Sequence, residues 1–249
     1  LKILPNWHWV FAVVALPGLV QAAVMARLLR PLPRIQAPPE QAGSGPAGRW
    51  AAALRLRATW TTVIAMVCWL SCMMSLAAML PSYLTDHLGL TLDRMGFVLS
   101  GLGIGGMIGV VAVPALSDRV GRKPVVMACA VVTLLALWAF IRADADPVTL
   151  FALMFVVALA NGGNIAITIG PMIVHSLPAH LVNAVTGLVV GCGEIIGGAV
   201  APAAAGLLAQ TWGIVWVPHF ALAAIIGGLL TVLFGVVEPR GRLRSGAAD

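Results

Sequence analysis

The chain has 249 residues, 60% of them hydrophobic and 10% charged, with a mean hydropathy of +0.99. Soluble domains carry about a quarter of their residues charged and under half apolar, so this composition excludes a soluble fold and is read in membrane spans. The net charge of +6 does not imply a nucleic-acid partner, because no soluble domain is left to carry such a site.

Seven apolar runs suit the roughly 20 residues that cross a bilayer as helix. They lie at Trp7–Leu29, Trp60–Leu84, Met95–Leu116, Pro124–Ile141, Val148–Val174, Leu181–Ala209 and Val215–Val237. Strands of an outer-membrane barrel would be about ten residues of alternating polarity, which these are not. The predicted fold is an all-α helical membrane bundle.

The first run opens on "LKILPNWHWVF" with no charged leader and is too long for a signal-peptide core. Residues 1–30 are expected to be the last helix of a preceding unit. The stretch 31–58, "PLPRIQAPPEQAGSGPAGRWAAALRLRA", begins as a flexible Pro- and Gly-rich linker. Its later part, Arg49 to Arg57, interleaves Trp50, Leu54 and Leu56 with Arg, as an interfacial helix would. Later connections are short, so 59–238 reads as one six-helix unit with a basic tail at 239–249. Spans one and seven both begin at Trp and leave through Pro-Arg, which supports a repeated unit.

Span two carries a small polar stripe, Cys68, Ser71, Cys72 and Ser75. Span three carries Gly101, Gly105 and Gly109, a spacing of four that lets helices approach closely. Between spans three and four lies "SDRVGRK", where Asp118, Arg119, Arg122 and Lys123 crowd around Gly121. This is expected to be a tight loop with Gly121 in a conformation closed to other residues. If it is cytoplasmic, twelve bases share its side: Arg27, Arg30, Arg34, Arg49, Arg55, Arg57, Arg119, Arg122, Lys123, Arg240, Arg242 and Arg244. Lys2, Arg94 and Arg142 alone fall outside, and the excess of bases on one side places the C-terminus in the cytoplasm.

Span five sets Asn161, Asn164 and Thr168 on one face, able to read a substrate or to join helices. Span six holds Glu194, with Gly187, Gly191, Gly198, Ala201 and Ala205 on its face at a helical period. A carboxyl at membrane depth is a candidate for proton coupling, or else a tie between helices. His219 in span seven reads as structural. Cys68, Cys72, Cys129 and Cys192 all fall in spans without third and fourth ligands, so no metal site and no cofactor are expected.

The turn "PALSDRVGRK" resembles the loop signature G-x-L-A-D-R-x-G-R-K of the major facilitator superfamily of secondary transporters. Leu116, Ser117, Asp118, Arg119, Gly121, Arg122 and Lys123 match it in position, with Ser for the usual Ala and Pro114 for the first Gly. The resemblance implies the last helix of an N-terminal half, a cytoplasmic linker and a complete six-helix C-terminal half of a twelve-helix fold. It implies that Asp118, Arg119, Gly121, Arg122 and Lys123 form a conformational gate, and that spans two and five line a substrate cavity, with Asn161, Asn164, Thr168, Ser71 and Ser75. Span six is similar to the eleventh helix of bacterial members.

The expected function is secondary active transport of a small metabolite, an organic acid among the candidates, by ion-coupled alternating access in the inner membrane. The expected partners are that substrate, a coupling proton, the lipid bilayer and the N-terminal half of the same chain. An efflux antiporter of the same fold is the alternative, and a seven-helix receptor is the alternative of another class. A retinal protein needs a lysine within a span, whereas Lys2 and Lys123 lie outside the spans. An intramembrane enzyme needs paired acids or His with Glu at dyad spacing, which the spans do not offer, so no catalytic residue is expected.

Overall fold

A computed structural model describes residues 7–28 and 46–235, which divide into the units Leu1–Gly43 and Ser44–Asp249. The first unit contains α1 (Trp7–Leu28), with Pro17 inside it and the residues from Ala15 to Leu28 exposed. Most of the expected linker, 31–45, and the tail 239–249 with Arg240, Arg242 and Arg244 lie outside the described residues.

In the second unit, α2 (Pro46–Arg55) precedes α3 (Arg57–Ser82), which continues through a π-helical turn at Tyr83–His87. There follow α4 (Leu92–Val120), α5 (Arg122–Arg142), α6 (Pro147–Ile169) with the short α7 (Pro171–Ser176), α8 (Ala179–Cys192), a π-helical segment (Gly193–Val200), α9 (Ala201–Trp212) and α10 (Trp216–Gly235). The described residues contain no strand. Among the described residues six helical stretches are long and apolar enough to cross a membrane: Arg57–His87, Leu92–Val120, Arg122–Arg142, Pro147–Val174, Ala179–Trp212 and Trp216–Gly235. Five of these reach beyond the apolar runs of the sequence, because flanking polar residues complete the end turns. Asp146 shows how: its carboxylate accepts from Thr149 N at 2.9 Å and Thr149 Oγ1 at 2.7 Å, capping α6, with Pro147 at the first helical position. The interfacial stretch ends at Arg55 instead of Arg57. Leu56 is extended and Arg57 already belongs to α3.

Helix α3 is central. Trp69, Leu70, Ser71 and Cys72, four consecutive residues that point in all directions around a helix, are all buried. Lipid tails are as apolar as Leu, so helix association here rests on close van der Waals packing. The closest approach is α4 on α6. A Cβ on Gly101, Gly105 or Gly109 would come 2.7 Å from Phe151 O, 2.2 Å from Phe155 O and 2.1 Å from Leu159 O, respectively. From the other side, Gly163 receives the Val113 side chain and Gly162 lies against Gly106 O. The stripe seen in the sequence is therefore a backbone-to-backbone seam. Glycines also admit α3 to its neighbours: Gly197 faces Val67 O, and Gly228 of α10 faces the Trp69 ring.

The two ends of this unit differ in charge. Among the described residues one end gathers Arg55, Arg57, Arg119, Arg122 and Lys123 against the single acid Asp118. The opposite end holds Arg94 and Arg142 against Asp86, Asp93, Asp144 and Asp146. Exposed tryptophans ring both ends, Trp50 and Trp60 at the basic one and Trp138, Trp212 and Trp216 at the other. Arg142 stacks over Trp138, 3.8 Å from the ring centroid. Aromatic belts with a basic side are the marks of a multi-pass membrane protein.

Candidate functional site

The loop expected between spans three and four shrinks to one residue. Helix α4 runs to Val120 and α5 starts at Arg122, leaving Gly121 at φ 105 and ψ 152, a region essentially reserved for glycine. Asp118 and Arg119 thus sit in the last turn of α4, and Arg122 and Lys123 in the first turn of α5. Asp118, Arg122 and Lys123 oppose their helix dipoles, which favour bases at the C-terminal end and acids at the N-terminal end, whereas Arg119 suits the end of α4. The charges must serve partners outside their own helix ends.

Those partners are visible. Arg122 Nη2 lies 3.3 Å from Asp118 Oδ1, with side chains 22% and 62% exposed, so water screens the pair and it contributes little to stability. Arg122 Nη1 also donates to Pro171 O, at the start of α7. Lys123 Nζ donates to Leu233 O at 3.2 Å, and Arg57 Nη2 to Phe234 O at 2.9 Å. Both acceptors belong to the last described turn of α10. The sequence reading missed Arg57 as a tie to α10; a base at the first position of a span was the available signal. Arg119 is exposed and makes no hydrogen bond or ion pair among the described residues.

The polar groups of spans two and five lie inside the six-helix unit. Asn161, Asn164, Thr168 and Ser75 are fully buried, and Ser71 nearly so. Asn161 Nδ2 donates to Trp69 O at 3.0 Å, fastening α6 to α3. Thr168 Oγ1 donates to Asn164 O at 2.7 Å and Ser71 Oγ to Val67 O at 2.6 Å, each within its own helix. Asn161 Oδ1, both polar atoms of Asn164, Ser75 Oγ and Trp69 Nε1 are buried without a hydrogen-bond partner among the described residues. This polar interior can supply amide donors and acceptors wherever α3 and α6 part.

Glu194 lies in the first turn of the π-helical segment and is exposed. The face assigned to it from a 3.6-residue period is corrected. The packed face is Val185, Val189, Gly193, Gly197, Ala201 and Ala205, all buried, while Gly187 and Gly191 have nothing within 4 Å of a Cβ. In a regular α-helix a series of every fourth residue drifts by about 40° per step. The wider π turns of Gly193–Val200 absorb that drift, keep Ala201 and Ala205 on the packed side, and leave Glu194 on the open side with Gly187 and Gly191. Gly198 stays near Glu194, where an added Cβ would lie 3.0 Å from Glu194 Oε2.

The remaining candidates are local. His219 Nδ1 lies 3.0 Å from Val215 O and its ring packs on Trp216. Cys68, Cys72, Cys129 and Cys192 are free thiols, and the described residues bring no three His, Cys, Asp or Glu together as a metal site.

The model of the Major Facilitator Superfamily matches this chain over residues 3–189 and again over 111–249, a range that takes in the whole charged turn. No curated protein matches the chain.

Proposed function

The chain belongs to the major facilitator superfamily, and from that membership we propose that it works as a secondary active transporter, moving a small metabolite of the organic-acid class by ion-coupled alternating access. In this reading α1 closes an N-terminal half, 31–58 is a cytoplasmic linker, and α3 to α10 form the C-terminal half. The basic end faces the cytoplasm across the inner membrane, which puts the C-terminal tail inside as well.

The observation that carries the proposal is the Asp118–Arg122 turn. Asp118, Arg122 and Lys123 are set against their own helix dipoles around a glycine at φ 105, a cost that contacts made elsewhere offset. Asp118 is mostly exposed and keeps acceptor capacity beyond its one ion pair, and Arg119 is exposed. Both are available to the opposing half. Asp118, Arg119, Gly121, Arg122 and Lys123 then form the gate, Asn161, Asn164, Thr168, Ser71 and Ser75 supply polar groups to the substrate path, and Glu194 on the open face of span six takes the coupling proton.

Asp118→Asn is the test. A gate at the membrane edge acts only through the conformational equilibrium, so transport should fall while substrate affinity is kept. Unchanged uptake at normal surface expression removes the gate role.

A further inference from the structure

We propose that the foot of α3 is a docking site for the headgroup of an anionic phospholipid, formed by Trp50, Leu54, Arg55, Arg57 and Trp60. Helix α2 is short, and only part of it is held by protein. Ala53 is fully buried, Thr59 Oγ1 donates to Ala53 O at 2.8 Å, and Trp60 Nε1 donates to Leu54 O at 2.8 Å. These bonds fix α2 against the start of α3. They leave Trp50 at 43%, Leu54 at 41% and Trp60 at 48% exposed.

Trp50 and Leu54 stand one turn apart on α2. Trp60 and Ile64 stand one turn apart on α3, and Ile64 is also exposed. An apolar strip therefore runs from α2 onto the membrane-spanning part of α3. Such a strip beside a spanning helix is covered by acyl chains.

Charge selects the kind of lipid. Arg55 is exposed beside the strip and makes no hydrogen bond or ion pair among the described residues. Arg57 is also exposed and uses one of its five N–H donors on Phe234 O. The one acid at this end among the described residues, Asp118, is paired with Arg122. Two guanidinium groups at the headgroup level, above exposed tryptophan and leucine surface, match a phosphodiester with two acyl chains below it. A zwitterionic headgroup brings its own ammonium into the same place and gains less.

The full chain, purified in a neutral detergent and delipidated, is titrated with dioleoylphosphatidylglycerol or dioleoylphosphatidylcholine, and bound lipid is counted on the intact protein by native mass spectrometry. Phosphatidylglycerol should bind more tightly, and added salt should narrow the difference. Each juxtamembrane cation at an anionic surface is worth about 1 kcal/mol, so Arg55→Gln should weaken phosphatidylglycerol about fivefold. Arg55→Gln with Arg57→Gln should weaken it by about 25-fold, and phosphatidylcholine little. Trp50→Ala should weaken both lipids alike. Arg94→Gln with Arg142→Gln, at the opposite end, should change neither.

Equal affinity for the two lipids, or an undiminished affinity in Arg55→Gln, overturns the proposal. Full competition by soluble glycerol 3-phosphate overturns it too, because the site would then serve a free phosphate ester. Arg55→Gln removes no hydrogen bond among the described residues, so it keeps the test decisive even if the double variant fails to fold.

Discussion

Gly105→Ala should loosen the α4–α6 seam. The added methyl would sit 2.2 Å from Phe155 O, 3.0 Å from Phe155 Cα and 3.0 Å from its carbonyl carbon. Ordinary carbon–oxygen contact needs more than 3 Å, and the obstacle is backbone, which cannot rotate away as a side chain does. The helices must therefore separate by roughly 1 Å, which forfeits a quarter to a half of each contact well along the seam. Overpacking of this kind costs about 1–3 kcal/mol. For a chain of this size each kcal/mol lowers the melting midpoint by about 2–4 °C. Gly103→Ala, two residues away with nothing within 4 Å, is the control. Alanine is the better helix former by up to about 1 kcal/mol, so this variant should be neutral or slightly stabilising. Thermal melting of both variants in the same detergent lowers the midpoint for Gly105→Ala alone if the seam is real. Equal midpoints for Gly105→Ala and Gly103→Ala would refute the close-approach argument.

Glu194→Gln should abolish proton-driven accumulation while leaving counterflow exchange intact, measured in proteoliposomes; full accumulation with Gln would retire the coupling role. Asn161→Leu removes the bond to Trp69 O, and interhelical bonds in membranes are worth about 0.6 kcal/mol. Stability should fall only slightly while transport is lost, and retained transport would confine Asn161 to a helix tie. The Thr149 side-chain and backbone donors hold the Asp146 carboxyl below the usual carboxylate range. A depressed folded-state value means that its stabilisation is present above the unfolded pKa of about 3.9 and is lost as pH falls through the folded value. Between about pH 5 and about pH 2, Asp146→Asn should therefore lose less helix, by circular dichroism, than the native chain. The same loss in both would dismiss the charged cap.

The sequence alone determined the spans, the basic end, the glycine seam and the family. Each rests on local physics. Twenty apolar residues cannot stay in water, bases cannot easily cross, and a Gly at every fourth position gives a flat stripe whatever faces it. Gly121 was legible as the residue of a tight turn, but that the turn is one residue long was shown only when α4 and α5 ran up to it. Only the tertiary structure decided where the polar groups go. Asn161 and Asn164 share a face in any helix, but that the face meets α3 and lies wholly buried depends on which helix packs there. Arg57 and Lys123 look like topology markers until α10 brings the carbonyls of Phe234 and Leu233 to them. Ala201 and Ala205 were assigned to the face of Glu194 because a 3.6-residue period was assumed, and the π-helical segment at Gly193–Val200 turns the helix at another rate. Composition and period fix what a stretch of chain becomes. Its partners, and the open or packed side on which a given side chain ends, are set by helices distant in sequence.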